Sequence, residues 1–196
     1  MNKQDGTPSP EAARPTNAPR IATRREVFAN RWVRLDEKQV VFPWSAKPES
    51  YYSLHLPDYV CVIAETSDGR FPLVRQYRPA VEGFTWEFPS GVRDEGETPE
   101  KTAFRELIEE TGFRAASVEP LGTYRTDVGR LDNVMYGFHA SGLVPVEDHA
   151  SEREIEVRLV TRRELAEMIE TGAFDFALHL AVWESFTRKS SKAGQA

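Results

Sequence analysis

The stretch GVRDEGETPEKTAFRELIEETGF, residues 91–113, gathers the side chains best suited to chemistry. Thr98 suits a helix cap, Pro99 the first helical position and Gly112 the stop. Positions three and four apart on a helix are neighbours, so Glu106 and Glu110 stack, and Glu109 lies one turn after Arg105. Each like-charge pair costs about 0.2–0.5 kcal/mol on an exposed helix. So small a cost leaves two readings. In one, the glutamates form a solvated face, turned away while Phe104, Leu107, Ile108 and Thr111 pack on a sheet. In the other, they await a hard divalent cation. Mg²⁺ takes one or two carboxylates, keeps several waters and draws its remaining ligands from phosphate oxygens.

The elements around this helix read as strands first. RWVRLDEKQVVF and SYYSLHLP are candidate strands of an N-terminal appendage. YVCVIAE and FPLVRQY flank SDGR, and Asp-Gly between apolar runs predicts a hairpin. FTWEF is a short strand stopped by Pro89 and Gly91. Beyond the acidic helix, VEPLGTYRT, NVMYGFHA and REIEVRLV read as strands. Thr161 and Glu164 make a capping box for a helix running to Gly172, and a last helix spans roughly 176–188. The order predicts an α/β fold, a mixed sheet with helices packed over it.

Composition narrows the classes. A chain of 196 residues suits one domain with a small appendage, and its core needs no disulfide. The single cysteine, Cys61, lies in an apolar run, reads as a core residue and fits a reducing, cytoplasmic setting. A net charge of −6 argues against nucleic acid as a partner, and no segment is long and apolar enough for a membrane span. Residues 1–20 are proline-rich and polar and read as a disordered tail.

The spacing decides between the two readings of the acidic helix. It runs Gly91, five residues, Glu97, seven residues, Arg105-Glu106-Leu107, one residue, Glu109-Glu110, one residue, Gly112-Phe113. Seven fixed positions coincide by chance about once in 10⁸ windows. The stretch resembles the signature of the Nudix hydrolases, and the following expectations come from that resemblance. The fold is an α/β/α sandwich with a mixed sheet and a small N-terminal strand appendage. The reaction is metal-dependent hydrolysis of a nucleoside diphosphate linked to another moiety, with Mg²⁺ or Mn²⁺. Glu106 and Glu110 are the main metal ligands, Glu109 shares a further ion, and Ser90 lends its carbonyl. Arg105 and Glu97 form a supporting pair, with Gly91 and Gly112 shaping the loop ends.

RQYRPA and WEFPSG, just before the signature, resemble the ADP-ribose and ADP-sugar pyrophosphatase branch. That resemblance divides the chain into a tail (1–20), a strand region for dimerisation and base recognition (21–56) and the hydrolase domain (57–190). It implies a homodimer acting on a nucleotide sugar. Arg78 contacts the substrate, and Glu87 either lines the same pocket or faces outward. For Arg78 the alternative is a surface salt bridge. Trp32, Phe28, Trp44 and Tyr51 are candidates for holding the base. The general base is expected at Glu152 or Glu154, with Glu109 a rival. In the loop TDVGRLDN, Gly129 is present but Val128 stands where the branch carries proline. GDP-mannose or another nucleotide sugar therefore stays open as the substrate. A sensor without catalysis is the competing class, although no carboxylate of the signature is missing.

Overall fold

The computed structural model describes residues 17–147, 149 and 155–193. Residues 1–16 of the expected tail, and the base candidates Glu152 and Glu154, lie outside the described residues. The chain divides into two compact units, one ending at His55 and the other beginning at Leu56.

The first unit is an antiparallel sheet of β1 (Arg20–Ala29), β2 (Arg34–Val41) and β3 (Glu49–His55), in that order. Asn30 shapes its first turn by accepting hydrogen bonds from the backbone N–H groups of Trp32 and Val33. Phe28, Trp32, Trp44, Tyr51 and Tyr52 are exposed on this unit.

The second unit is built on β4 (Tyr59–Ala64), which pairs parallel with β10 (Val134–Ser141). The short β7 (Ser90–Val92) and the longer β9 (Ser117–Arg125) complete that sheet in the order β7-β4-β10-β9. A second, antiparallel sheet runs β12 (Glu156–Thr161), β5 (Arg70–Arg78), β6 (Gly83–Glu87), and the short β8 (Phe113–Arg114) and β11 (Val144–Pro145) pair with each other. Alternation along β4 explains the layers. Val60, Val62 and Ala64 pack with Ala103 and Leu107 of α1 (Pro99–Thr111), whereas Cys61 and Ile63 join Phe71, Leu73, Val182 and Phe186 on the opposite side. Val182 and Phe186 belong to α3 (Ala177–Ala193). Helix, sheet and helix therefore stack as expected, with α2 (Arg162–Glu170) contributing Leu165 to the α3 side.

One expectation fails. Asp68-Gly69 does make a tight turn: Gly69 has φ 75°, and the Thr66 and Arg70 backbones are joined at 2.9 Å. Yet β4 and β5 do not continue as a hairpin. β4 pairs with β10 and β7, and β5 with β12 and β6. Every residue from Val60 to Ala64 is fully buried, so β4 takes the place of a central strand covered on both faces. Turn residues specify the reversal of the chain, not the partner of each strand. The same holds at Phe88-Pro89, where the chain leaves β6 in one sheet and enters β7 in the other.

Candidate active site

Helix α1 begins and ends on local chemistry. The Thr98 side chain accepts from the Lys101 N–H, Pro99 opens the first turn, and Gly112 closes the helix with φ 70°. Its buried face departs from expectation. Phe104 and Ile108 are only partly buried, while Glu106 and Glu110 are buried alongside Ala103, Leu107 and Thr111. Both glutamates keep less than a tenth of their surface exposed. This is no solvated acidic face. The hydrophobic pattern is broad enough to place either edge of the stripe inward, and the packing has chosen the edge that carries the acids.

The burial is supported by a constructed surround. The Ser90 N–H donates to Glu110 Oε2 at 2.8 Å, and Gln76 Nε2 lies 3.4 Å from Glu110 Oε1. Burial pushes the Glu110 carboxyl up to about 8, and the neighbouring Glu106 charge adds to that push. Gly91 is where Glu106 needs room. A Cβ on Gly91 would fall 2.0 Å from the Glu106 carboxyl carbon.

Arg105 is the hub. It donates to Glu97 at 3.2 and 3.0 Å, to Glu106 at 2.7 Å, to Glu109 at 2.9 Å and to the Val92 carbonyl at 3.0 Å. Its hydrogen bonds hold the Glu97 carboxyl down to about 2. Thr102, fully buried, adds a hydroxyl bond to Glu97 at 2.8 Å. A second pair stands beside this network. Arg78 grips Glu87 bidentately at 2.7 and 2.6 Å, and Thr85 donates to the same carboxylate at 2.6 Å. Glu87 is buried, which settles its alternatives against an outward strand position. Burial alone raises Glu87, but the bonds from Arg78 and Thr85 outweigh it and leave the carboxyl lowered. Arg78 is no pure surface pair: its partner is buried while its own side chain stays 41% exposed.

The structure thus brings together Ser90, Gly91, Glu97, Arg105, Glu106, Glu109 and Glu110. It places Arg78 and Glu87 near enough for the Arg78 charge to act on Glu110. Gly129 lies on an exposed loop, its N–H bonded to Asp127 at 2.8 Å, beside an 87% exposed Val128. The start of β10, which follows that loop, is linked through Asp58 to the acidic stretch. Asp58 accepts from the Val134 N–H at 3.0 Å and from Arg93 at 3.1 Å, and Arg93 also donates to the Glu97 carbonyl at 3.0 Å. Trp32, Phe28, Trp44 and Tyr51 belong to the first unit. Sequence reasoning missed Gln76, Thr102, Asp58 and Arg93. Of these, only Gln76 carried a signal, as the neighbour of Arg78 in the quoted RQYR.

Among the described residues, no three or more His, Cys, Asp or Glu side chains converge tightly enough to enclose an ion by themselves. Two buried, mutually repelling carboxylates at a polar loop instead suit a cation that keeps waters and binds phosphate. Fold and site together define a metal-assisted hydrolase of the α/β/α kind. Residues 55–180 match the NUDIX domain, and the chain belongs to the Nudix hydrolase family. The ADP-ribose pyrophosphatase of Bacillus subtilis (strain 168) is 30% identical over 151 residues, 76% of this chain and 81% of that protein. The methanol dehydrogenase activator of Bacillus methanolicus is 34% identical over 131 residues, 67% of this chain and 70% of its own length. A crystal structure of an ADP compounds hydrolase superposes with a TM-score of 0.78 at 20% identity, over 91% of this chain and 97% of that one, and so shares the fold.

Proposed function

We propose that the protein hydrolyses the pyrophosphate bond of ADP-ribose or a related ADP-sugar, releasing AMP and a sugar phosphate. The observation that carries this is the burial of Glu106 and Glu110 against each other beside the Ser90 backbone, a costly arrangement that a divalent cation relieves. The substrate class rests on the Bacillus subtilis relative and on Arg78 at the end of β5. Glu106 and Glu110 would hold the metal, with Glu109 and the Ser90 carbonyl beside them. Bound there, Mg²⁺ or Mn²⁺ supplies charge neutralisation to the pyrophosphate and a more acidic water. Arg105 orients the carboxylates and pins the loop through Glu97. Arg78 offers its exposed guanidinium to phosphate oxygens. Water oxygen joins one phosphorus, that phosphorus–oxygen bridge breaks, and the water proton passes to a carboxylate.

Glu109 serves as a base candidate inside the described residues, and Glu152 and Glu154 outside them. Substitution of each by Gln separates them: turnover falls steeply at the base while metal affinity holds. The exposed aromatic residues of the first unit support base recognition and a homodimer formed through it. A monomer by light scattering at micromolar concentration would overturn the dimer. Among the described residues no helix is long and apolar enough to cross a membrane. The buried free thiol of Cys61 supports a reducing, cytoplasmic setting.

Val128 keeps a second substrate in play. The test is to incubate the protein with ADP-ribose, GDP-mannose and UDP-sugars, with and without Mg²⁺, and to identify the products by chromatography. Metal-dependent AMP and ribose 5-phosphate as the fastest products support the ADP-ribose reading. Faster release of GMP from GDP-mannose replaces it, and binding without any turnover favours the sensor.

A further inference from the structure

Phe88 and Pro89 carry the chain from β6 to Ser90, the first residue of β7, and each of these three residues is pinned from a different direction. The Ser90 N–H donates to Glu110 Oε2 at 2.8 Å. The Pro89 carbonyl accepts from the Val62 N–H at 2.8 Å. The Phe88 N–H donates to Nδ1 of His179, on α3, at 3.1 Å. His179 is fully buried, with its ring stacked on Phe176 at 4.1 Å between centroids and tilted against Phe88.

This geometry dictates the state of the ring. A histidine that accepts at Nδ1 is neutral and carries its proton on Nε2. Burial favours that neutral form, holding His179 down to about 3. The Nε2–H that results is buried with no hydrogen-bond partner among the described residues. A leucine would fill the space between Phe88 and Phe176 without an orphaned Nε2–H, but it would strand the Phe88 N–H. What only the histidine supplies is the acceptor at Nδ1.

We propose that His179 is a positioning residue for the carboxylate site: through the Phe88 N–H it fixes the backbone that presents Ser90 to Glu110 and Glu87 to Arg78. The inference rests on the metal-site reading given above. It assigns α3, on the far side of the sheet from α1, a part in that site. His179 holds the Phe88 N–H, so its effect is transmitted along the peptide from Phe88 to Ser90.

The test compares two amides of similar polarity. Asn places its amide oxygen where Nδ1 stands, whereas Gln places its amide where Nε2 stands. Mn²⁺ binding is measured by electron paramagnetic resonance on wild type, His179→Asn and His179→Gln, with circular dichroism confirming folded protein. The expected result is a loss of about tenfold in Mn²⁺ affinity for His179→Gln, the scale of residues that orient metal ligands. His179→Asn should stay within about threefold of wild type, even where its melting temperature falls. Equal affinity in all three proteins, or equal loss in both variants, overturns the proposal. A wild type that binds no Mn²⁺ overturns the metal site itself and this inference with it. A variant recovered only unfolded is replaced by His179→Leu at low temperature, where unchanged Mn²⁺ affinity is again the overturning result.

Discussion

Helices α1 and α2 begin alike and treat their acids in opposite ways. Each starts from a threonine whose side chain accepts a backbone N–H, and each carries glutamates at helical spacing. On α2 the acids meet solvent. Glu164 closes the capping box with Thr161, and Glu167 pairs with the exposed Arg163 at 2.8 Å. On α1 Glu100 is exposed in the first turn, but Glu106 and Glu110 are buried and Glu109 leans on Arg105. The local sequence grammar of the two helices is the same, so the difference lies in what surrounds each face. α1 is met by Ser90, Gly91, Gln76 and an arginine clamp; α2 meets water. Acids buried with so built a surround point to a ligand, whereas acids in water point only to solubility and helix-end electrostatics.

The comparison breaks most visibly if the acids are neutralised. Glu106→Gln and Glu110→Gln should each lower metal-dependent turnover by about a thousandfold, the several kcal/mol that a bound metal contributes. The melting temperature of Glu110→Gln should hold or rise, because a buried repulsion is removed, whereas Glu106→Gln also gives up its ion pair with Arg105 and should melt lower than Glu110→Gln. Glu167→Gln on α2 should leave turnover unchanged. Steady-state assays with thermal melts check all three.

Gly91→Ala sharpens the same contrast through space rather than charge. Its Cβ meets the Glu106 carboxyl, the far end of a flexible side chain, so the side chain shifts and the fold survives. Turnover should drop about 10- to 100-fold with little change in melting temperature, as expected for disturbing the orientation of a metal ligand.

How much of this was legible in advance differs by element. The ends of α1 and the capping box of α2 were readable, because Thr98, Pro99, Gly112, Thr161 and Glu164 act on backbone within one turn. The signature spacing likewise delivered Glu97, Arg105 and the glutamates as one group. The buried edge of α1 was not readable, since Phe104 and Ile108 look like better core than glutamates on periodicity alone. Nor was the partner of β4, which lies some 75 positions further on in β10 and not across the Asp-Gly turn beside it. β1 fell within the expected strand region 21–56 but was not delimited as a strand, because all ten of its residues are exposed and no buried face marks it. His179 left one trace, a polar residue set among Phe176, Leu180 and Trp183 on an apolar helix.

A third difference concerns acid. His179 sits near 3 in the fold against an ordinary 6.5, so between those values the unfolded chain holds the extra proton. Its contribution to stability is complete above pH 6.5 and is lost as pH falls toward 3, by about 2 kcal/mol at pH 5. Glu110, raised in the fold, gains stability over the same range, so the reading is the difference between proteins: from pH 7 to pH 5, urea unfolding should show wild type losing about 2 kcal/mol relative to His179→Asn. The smallest effect belongs to α2. Thr161→Ala removes a cap worth about 1 kcal/mol and should leave turnover untouched.

The central claim is that the buried carboxylates of α1 form a metal-dependent pyrophosphatase site. Its most direct test is AMP release from ADP-ribose by wild type and Glu110→Gln, first stripped with a chelator and then titrated with Mg²⁺. The account predicts no release from stripped protein, recovery with Mg²⁺ in wild type and no comparable recovery in the variant. Mg²⁺-dependent release by Glu110→Gln at the wild-type rate would contradict it.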